Sequence, residues 1–314
     1  MIMLEVKSLV KDYGNKRAVD HLNLTIADSE IHGFVGPNGA GKTTTMRILA
    51  TLLNATEGSA TIDGVDILRD RKKARMLVGY MPDFFGVYDH LKASEYLDFY
   101  ARCYGIRRQD RERMIGQLLE LVHLSDRADD YVDNLSRGMK QRLCLAHSLI
   151  HDPKLLILDE PASGMDPRAR AEMKSILRTL KEMGKSVLIS SHILPELSEM
   201  CDSLTILDHG KLIFSGSVTA LSDRMNGRNP LEIRLQEDSD TKNVETLVTI
   251  LRENPLVEEI TQEEPRLLRV RMGGKEEDLS ALLQLLIMRG IPVCDFHRAS
   301  MNLEKVFMEV TQDA

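Results

Sequence analysis

A glycine-rich segment near the N-terminus has the residue types and spacing of a phosphate-binding loop. Residues 36–43 read Gly-Pro-Asn-Gly-Ala-Gly-Lys-Thr, between the apolar segment 31–35 and a stretch with helical character. In such a P-loop the glycines let backbone N–H groups face phosphates, the lysine meets the β- and γ-phosphates, and the threonine ligates Mg²⁺. We therefore expect a nucleotide and magnesium here, bound through Gly36, Pro37, Asn38, Gly39, Ala40, Gly41, Lys42, Thr43 and Thr44.

A pair of carboxylates, Asp159 and Glu160, ends the apolar run 155–158. Buried strands also end in acids that have no catalytic role, so this feature alone predicts no chemistry. Together with the P-loop it does, because a carboxylate at a strand end can reach the magnesium held by Thr43. We expect Asp159 to face the metal and Glu160 to orient or deprotonate the attacking water.

The segment 134–142 reads Asn-Leu-Ser-Arg-Gly-Met-Lys-Gln-Arg, and its serine predicts the start of a helix. The Ser136 hydroxyl, the Gly138 amide and the helix dipole would together attract an anion. This segment resembles the signature of ABC ATPases, usually LSGGQ, with Arg137 in place of one glycine. The resemblance implies that Ser136 and Gly138 bind the γ-phosphate of an ATP held by the opposite subunit of a dimer. A plain capped helix is the alternative.

Three further residues match positions of the ABC ATPase pattern. Tyr13 resembles the aromatic residue that stacks on adenine, and an ordinary surface tyrosine is the alternative. Asp166, in the sequence Gly-Met-Asp-Pro, resembles the aspartate that crosses the dimer interface, although it would also suit a local turn. His192 resembles the switch histidine that contacts the γ-phosphate, and a buried structural histidine is the alternative.

One position departs from the family pattern, because Asp83 stands where the family has a glutamine. An aspartate can still accept a hydrogen bond from a magnesium-bound water, but it adds negative charge beside the γ-phosphate. We expect Asp83 to take the role of the glutamine.

His147 and His151 have the i, i+4 spacing of metal ligands on a helix, but Ser148 stands where HExxH requires glutamate. We expect no metal at these histidines.

Composition bounds the class of protein. Of the 314 residues, 43% are hydrophobic and 28% charged, which is typical of a globular protein. No apolar stretch approaches the roughly 18 residues of a membrane span, and four separated cysteines without a CxxC pair favour reduced thiols. Residues 1–230 carry 31 basic and 31 acidic side chains, and residues 231–314 carry 10 and 17. We therefore expect a cytoplasmic protein and no nucleic-acid partner.

The pattern of apolar residues predicts two domains. Strands are expected on both sides of a Gly-Asn turn at 14–15, a helix over Thr43–Leu53, a mostly helical stretch over 89–151, and buried parallel strands at 155–159 and 186–190. A break at 222–230 separates an ATPase domain, residues 1–225, from residues 231–314. The latter reads strand, helix, strand, strand, helix, strand, which is the ferredoxin-like order, followed by a helix around 302–310.

Eight of the fourteen aromatic residues fall between Tyr80 and Tyr104. Such a concentration indicates a docking surface. In ABC ATPases this region begins the helical subdomain that receives the membrane subunit, so we expect Phe84, Phe85 and Tyr88 to contact it. Ordinary helix packing is the alternative, notably for the helically spaced residues Tyr96, Phe99, Tyr100 and Tyr104.

The resemblance covers residues 3–220 as one ABC ATPase domain, and residues 301–311 resemble the C-terminal extension of ABC-2 type export ATPases. It implies an α/β P-loop NTPase fold with a mixed sheet core, an antiparallel β subdomain and a helical subdomain. It also implies ATP hydrolysis in a homodimer, or a pair with a related ATPase subunit, peripheral to the membrane beneath a separate permease. Two rivals remain: an ABC ATPase acting on ribosomes or DNA, and a phosphotransferase.

Overall fold

The computed structural model describes residues 1–84, 86, 90–221, 230–236, 239–274 and 276–298. The described chain forms two compact units, the first ending at Val218 and the second beginning at Thr219. The domain boundary expected from the sequence, 222–230, falls almost entirely on residues outside the described part. The domain limits 1–225 and 231–314 therefore stay a prediction.

The first unit contains a four-stranded antiparallel sheet, in the order β2-β1-β4-β5. Burial alternates along most of β2, so one face of this sheet covers the core and the other faces solvent. The predicted turn between its first two strands is confirmed, with Gly14 in the left-handed region at φ +56°. The strands are β1 (Ile2–Tyr13), β2 (Lys16–Ala27), β4 (Glu57–Ile62) and β5 (Val65–Asp66).

A six-stranded sheet forms the centre of the same unit, in the order β10-β9-β3-β8-β7-β6. All neighbours are parallel except the edge pair β9 and β10. Every residue of β3, β7 and β8 is buried, which confirms the predicted buried parallel strands. The strands are β3 (Ile31–Val35), β6 (Val78–Met81), β7 (Leu155–Leu158), β8 (Ser186–Ser191), β9 (Ser203–Asp208) and β10 (Lys211–Ser217).

Helices surround these sheets. The segment 89–151 is largely helical where described, as predicted, with two short 3₁₀ turns at Ser125–Arg127 and Val132–Asn134. The helix predicted over Thr43–Leu53 is wrong at its C-terminal end: it stops at Leu49, because the backbone of Thr51 turns left-handed at φ +62°. The helices are α1 (Lys42–Leu49), α2 (Arg71–Leu77), α3 (Ala93–Cys103), α4 (Arg108–Leu121), α5 (Arg137–Ser148), α6 (Pro167–Glu182) and α7 (Leu194–Ser198).

The second unit has its own antiparallel sheet, in the order β12-β13-β11-β14. This order and the βαββαβ succession confirm the ferredoxin-like fold. Leu247, Leu251, Leu268 and Leu286 lie in a core separate from that of the first unit. The elements are β11 (Leu231–Leu235), α8 (Thr241–Glu253), β12 (Val257–Glu264), β13 (Leu267–Met272), α9 (Glu276–Met288) and β14 (Val293–Arg298). The helix predicted around 302–310 lies outside the described residues.

Candidate active site

Residues that follow the carboxyl ends of the central parallel strands, together with three residues of the β1–β2 hairpin, line a cavity of about 540 Å³. Parallel strands bring their carboxyl ends to one edge, which is where ligands of open α/β sheets bind. The sequence did not single out Lys16, Ala18 and Ser163, which carry no motif of their own. The lining residues are Tyr13, Lys16, Ala18, Pro37, Asn38, Gly39, Ala40, Gly41, Lys42, Thr43, Thr44, Asp83, Glu160, Ser163 and His192.

The loop between β3 and α1 has two positions that only glycine fits. A Cβ on Gly36 would lie 2.5 Å from the Leu207 carbonyl oxygen, and one on Gly41, at φ +101°, would lie 2.4 Å from that of Ala18. The helix begins directly at Lys42, so its unpaired N–H groups face the loop. The loop is therefore shaped to surround a phosphate chain with backbone donors.

Lys42 is only 7% exposed. Its Nζ donates to the carbonyl oxygens of Gly36 at 2.6 Å and Pro37 at 3.2 Å. Burial lowers the pKa of Lys42, against the opposing charges of Glu160 and Asp159. The ammonium thus lies inside the loop, where an incoming phosphate would offer it a stronger, charge-assisted partner than a carbonyl.

Asp159 follows β7 and is 1% exposed. One carboxylate oxygen accepts a hydrogen bond of 2.7 Å from the Ser190 hydroxyl, while Oδ2 has no partner among the described residues. A buried carboxylate oxygen without a partner is costly, and a bound cation would satisfy it. The same Ser190 hydroxyl accepts a hydrogen bond of 2.9 Å from the Glu160 backbone N–H. The sequence analysis missed Ser190, although a polar residue inside a buried apolar strand was a signal.

Glu160 lies at the centre of the charged groups in the cavity. Its backbone is left-handed, at φ +50°, a conformation uncommon for a non-glycine residue. Its carboxylate lies 3.0 Å from His192 Nδ1 and 3.9 Å from Lys42 Nζ. Burial raises the pKa of Glu160, against the opposing effects of His192 and Lys42. A carboxylate with a raised pKa is a stronger proton acceptor, which suits a general base.

The signature segment lies apart from this cavity. Ser136, Gly138 and Asp166 line a different cavity, of about 360 Å³, and in the described chain no residue lines both. Ser136 caps α5 by accepting from the Met139 N–H at 3.3 Å. Asp166 likewise caps α6, accepting from the Ala169 N–H at 2.8 Å. The capped helix and the local turn that were alternatives for these residues are therefore both present, and neither prevents a ligand from binding.

Two predicted residues lie at the rim of the first cavity. Tyr13, at the end of β1, is half exposed, with Lys11 Nζ 5.0 Å from its ring centroid. Its open face is available for stacking. Asp83 follows β6, the strand next to β7, and the Asp159 N–H donates to the Met81 carbonyl at 2.8 Å. The two acidic residues therefore follow adjacent strand ends.

Comparison with known proteins shows the family to which this chain belongs. The family model described as ABC transporter matches residues 19–163. The ABC transporter ATP-binding protein YxlF of Bacillus subtilis is 34% identical over 308 residues, which cover 98% of this chain and 99% of that protein. The chain belongs to the ABC transporter ATP-binding proteins. The predicted family is thus confirmed.

Two further comparisons agree with this membership. The Nod factor export ATP-binding protein I of Sinorhizobium fredii is 38% identical over 232 residues, covering 74% of this chain and 68% of that protein. A solved structure of an ATP-binding subunit of an ABC transporter has a TM-score of 0.64 at 29% identity, covering 71% of this chain and 93% of that one. As an ABC ATP-binding subunit, the chain binds and hydrolyses ATP to power transport. The predicted P-loop fold and ATPase activity are confirmed.

The remaining predictions concern this ABC subunit's helical region. His147 stacks on Tyr100 and His151 on Tyr104, with ring centroids 3.6 and 4.4 Å apart. Burial lowers the pKa of His147 to about 4. No metal-binding cluster of three or more histidine, cysteine or acidic residues occurs in the described ranges. The described helices are also too short or too polar to cross a bilayer.

Proposed function

We propose that this ABC subunit hydrolyses ATP at sites shared between two subunits, closing head to tail as a homodimer or with a related ATPase subunit. The observation that carries the proposal is that the P-loop residues and the signature residues line separate cavities of one chain. A γ-phosphate bound at one chain's Lys42 would gain Ser136 and Gly138 only from a second chain. Each subunit would then contribute half of each site.

The described geometry supports a role for each residue of the first cavity. Magnesium would be held by Thr43 and Asp159, and Asp83 would accept a hydrogen bond from a water bound to the ion. The Oδ2 atom of Asp159, which has no partner among the described residues, fits this role as a ligand. The ion would neutralise charge on the β- and γ-phosphates. Tyr13 would stack on adenine, and the backbone of the P-loop, with Thr44, would surround the phosphates.

Glu160 would take the proton from the attacking water. Its raised pKa makes it a better base, and Ser190 fixes its backbone. His192, 3.0 Å from the Glu160 carboxylate, would contact the γ-phosphate and orient that base. In the opposite subunit, Asp166 would lie at the interface beside the signature helix. Its capping bond would keep it in place there.

We further propose that the subunit powers export, at the cytoplasmic face of a membrane, through a separate multi-span permease. The export relative named above and the segment 301–311 support this direction of transport. We assign residues 1–225 to the ATPase domain and 231–314 to an accessory domain. The compact units ending at Val218 and beginning at Thr219 are consistent with that division.

The permease would dock on the aromatic segment after β6. Phe84 is 89% exposed, while Phe85 and Tyr88 lie outside the described residues. Tyr96 is buried in helix packing, and Phe99 and Tyr104 are about half exposed. The alternative of ordinary helix packing therefore accounts for Tyr96, and Phe84 is left as the described candidate for docking.

Affinity purification from detergent-solubilised membranes tests the transport proposal. We expect a multi-span permease to co-purify with the wild-type chain and to be lost with Phe84→Asp. Leu52→Asp is the control, because Leu52 is an equally apolar residue, 61% exposed, outside the aromatic segment. Recovery of ribosomes or DNA in place of a permease would instead support the rival class of ABC ATPases.

A further inference from the structure

The second unit contains a groove that the ATPase function does not use. It has a volume of about 590 Å³ and lies between one face of α8 and the residues around the β12–β13 turn. Val244 and Val248 from the helix and Pro265 from the turn give it apolar walls. Cavities of roughly 300–1,000 Å³ are the usual size for small-molecule ligands.

Two arginines that line the groove, Arg252 and Arg266, have no ion pair among the described residues. In this they differ from the arginines on the sheet of the same unit, which form ion pairs. Those pairs are Arg234 with Glu264 at 3.2 Å, Arg269 with Glu232 at 2.7 Å, and Arg271 with Glu259 at 3.2 Å. The acidic residue that lines the groove is Glu245, so the lining is net positive in a domain rich in acids.

The third feature is Ser239, which lines the groove and is 8% exposed. Its hydroxyl has no hydrogen-bond partner among the described residues. A buried hydroxyl without a partner is unfavourable, and a ligand oxygen is one way to satisfy it. Ser239 thus points to a ligand independently of the arginine charges.

Backbone contacts bring these groups to one end of the groove. The Leu235 N–H donates to the Arg266 carbonyl at 3.0 Å, and the Ser239 N–H donates to that of Gln236 at 3.1 Å. Ser239 therefore lies on the short connection that leads from the Arg266 backbone to α8. The helix starts two residues later, and its N-cap, Asp240, makes no side-chain capping bond. The N-terminus of the helix adds a positive potential, which the Asp240 carboxylate opposes.

We propose that this groove binds a small organic acid. Its carboxylate lies at the N-terminal end of α8, held by the Arg266 guanidinium and the Ser239 hydroxyl. Its apolar body lies against Val244, Val248 and Pro265, and Arg252 adds positive charge further along the helix. The accessory domain is then a ligand-binding module. This assignment is independent of the residues that handle ATP.

Binding of 4-methylpentanoate to the isotope-labelled full-length chain, followed by amide NMR shifts, tests the proposal. We expect saturable shifts at α8 in the millimolar range, and none with the neutral isostere 4-methylpentanamide. Arg266→Gln should weaken binding at least about tenfold, since a hydrogen bond to a charged group is lost. Ser239→Ala should weaken it severalfold. Arg289→Gln, an exposed arginine outside the groove, is the matched control and should change nothing.

The assignment would be overturned by the absence of a saturable shift with the carboxylate, by equal binding of its amide, or by unchanged affinity in Arg266→Gln. Inorganic phosphate binding as tightly as the carboxylate would reduce the groove to an unspecific anion site and would also overturn it. Should Arg266→Gln not fold, Val248→Glu serves instead, because it places a negative charge on the half-buried wall. Binding that survives this variant would contradict the proposed location.

Discussion

Ser190 connects the two acidic residues that would perform catalysis. Its hydroxyl donates to Asp159 and accepts from the Glu160 N–H, so one buried side chain orients both. We predict that Ser190→Ala lowers ATP turnover about 10- to 100-fold, the usual cost of removing a partner of a metal ligand. ATP binding should survive, because the P-loop is unchanged.

Ser186→Ala is the matched control for this prediction. Ser186 is also a buried serine of β8 with hydrogen bonds to backbone, but it lies at the other end of the strand. Phosphate-release rates at saturating ATP distinguish the two variants. Equal losses of turnover would show that Ser190 supports only the stability of the strand.

The raised pKa of Glu160 predicts how the stability of the chain depends on pH. Its folded-state pKa is raised by burial, so the ionised carboxylate costs folding free energy above that pKa, and this cost vanishes below the ordinary glutamate pKa. We predict that Glu160→Gln raises the Tm of the nucleotide-free chain at neutral pH. The gain should shrink to nothing as the pH falls through the window between the two pKa values.

Differential scanning calorimetry across this pH range measures the effect. Glu182→Gln, an exposed glutamate at the end of α6, should give no comparable gain. A loss of Tm at neutral pH that disappears at acid pH would mean that Glu160 is a stabilising ion-pair partner of His192 and Lys42, and that burial is not the dominant effect.

Among single residues, the sequence predicted those that form a motif by their spacing. The P-loop and the acids after β7 are contiguous in the chain, and all of the P-loop residues except Gly36 line the observed cavity. Ser190 and Ser163 could not be predicted in the same way. Their contacts reach residues 22 to 31 positions away, so the sequence does not show which residues these two serines contact.

Among the elements, α5 is fixed to its neighbours by Arg142. Arg142 is only 6% exposed. Its Nη1 donates to the carbonyl oxygens of Val122 at 2.9 Å and His123 at 3.2 Å. The same atom lies 3.1 Å from the Glu172 carboxylate on α6. We predict that Arg142→Met destabilises the chain by about 3 kcal/mol, because it leaves two carbonyls without a donor and removes the buried ion-pair partner of Glu172. The helix that carries Ser136 would lose its anchor.

Arg168→Met provides the comparison, since Arg168 pairs with the same Glu172 but is 92% exposed. It should cost no more than about 1 kcal/mol, the usual value of a surface ion pair. Urea unfolding measures both. Equal costs would mean that the Arg142 bonds to the end of α4 contribute little.

Element order was more predictable than element ends. The βαββαβ succession follows from alternating apolar periods and is confirmed, whereas α1 ends four residues before the expected Leu53. The left-handed turn at Thr51 ends the helix, and threonine gives no signal of that conformation. The sheet order β10-β9-β3-β8-β7-β6 pairs strands that lie far apart in sequence, so local patterns could not supply it.

For the whole molecule, the two units place the ATP residues and the small-acid groove in separate bodies. We predict that a chain ending at Gly227 binds ATP with the affinity of the full chain, because every residue assigned to the nucleotide lies before Val218. Equilibrium binding of a fluorescent ATP analogue measures this. A folded truncation that binds no nucleotide would show that residues 231–314 contribute to the site.

We propose above that one chain holds only half of each hydrolytic site. The variant Glu160→Gln keeps the shape of the side chain and removes its proton-accepting charge, so ATP should bind and remain unhydrolysed. General-base loss of about a hundred- to ten-thousand-fold is expected. Lys42→Ala should bind phosphate weakly and stay monomeric. Size-exclusion chromatography of Glu160→Gln with ATP and magnesium is the direct measurement: we expect an ATP-loaded dimer, and a monomer that binds ATP fully would show that the two-subunit site is wrong.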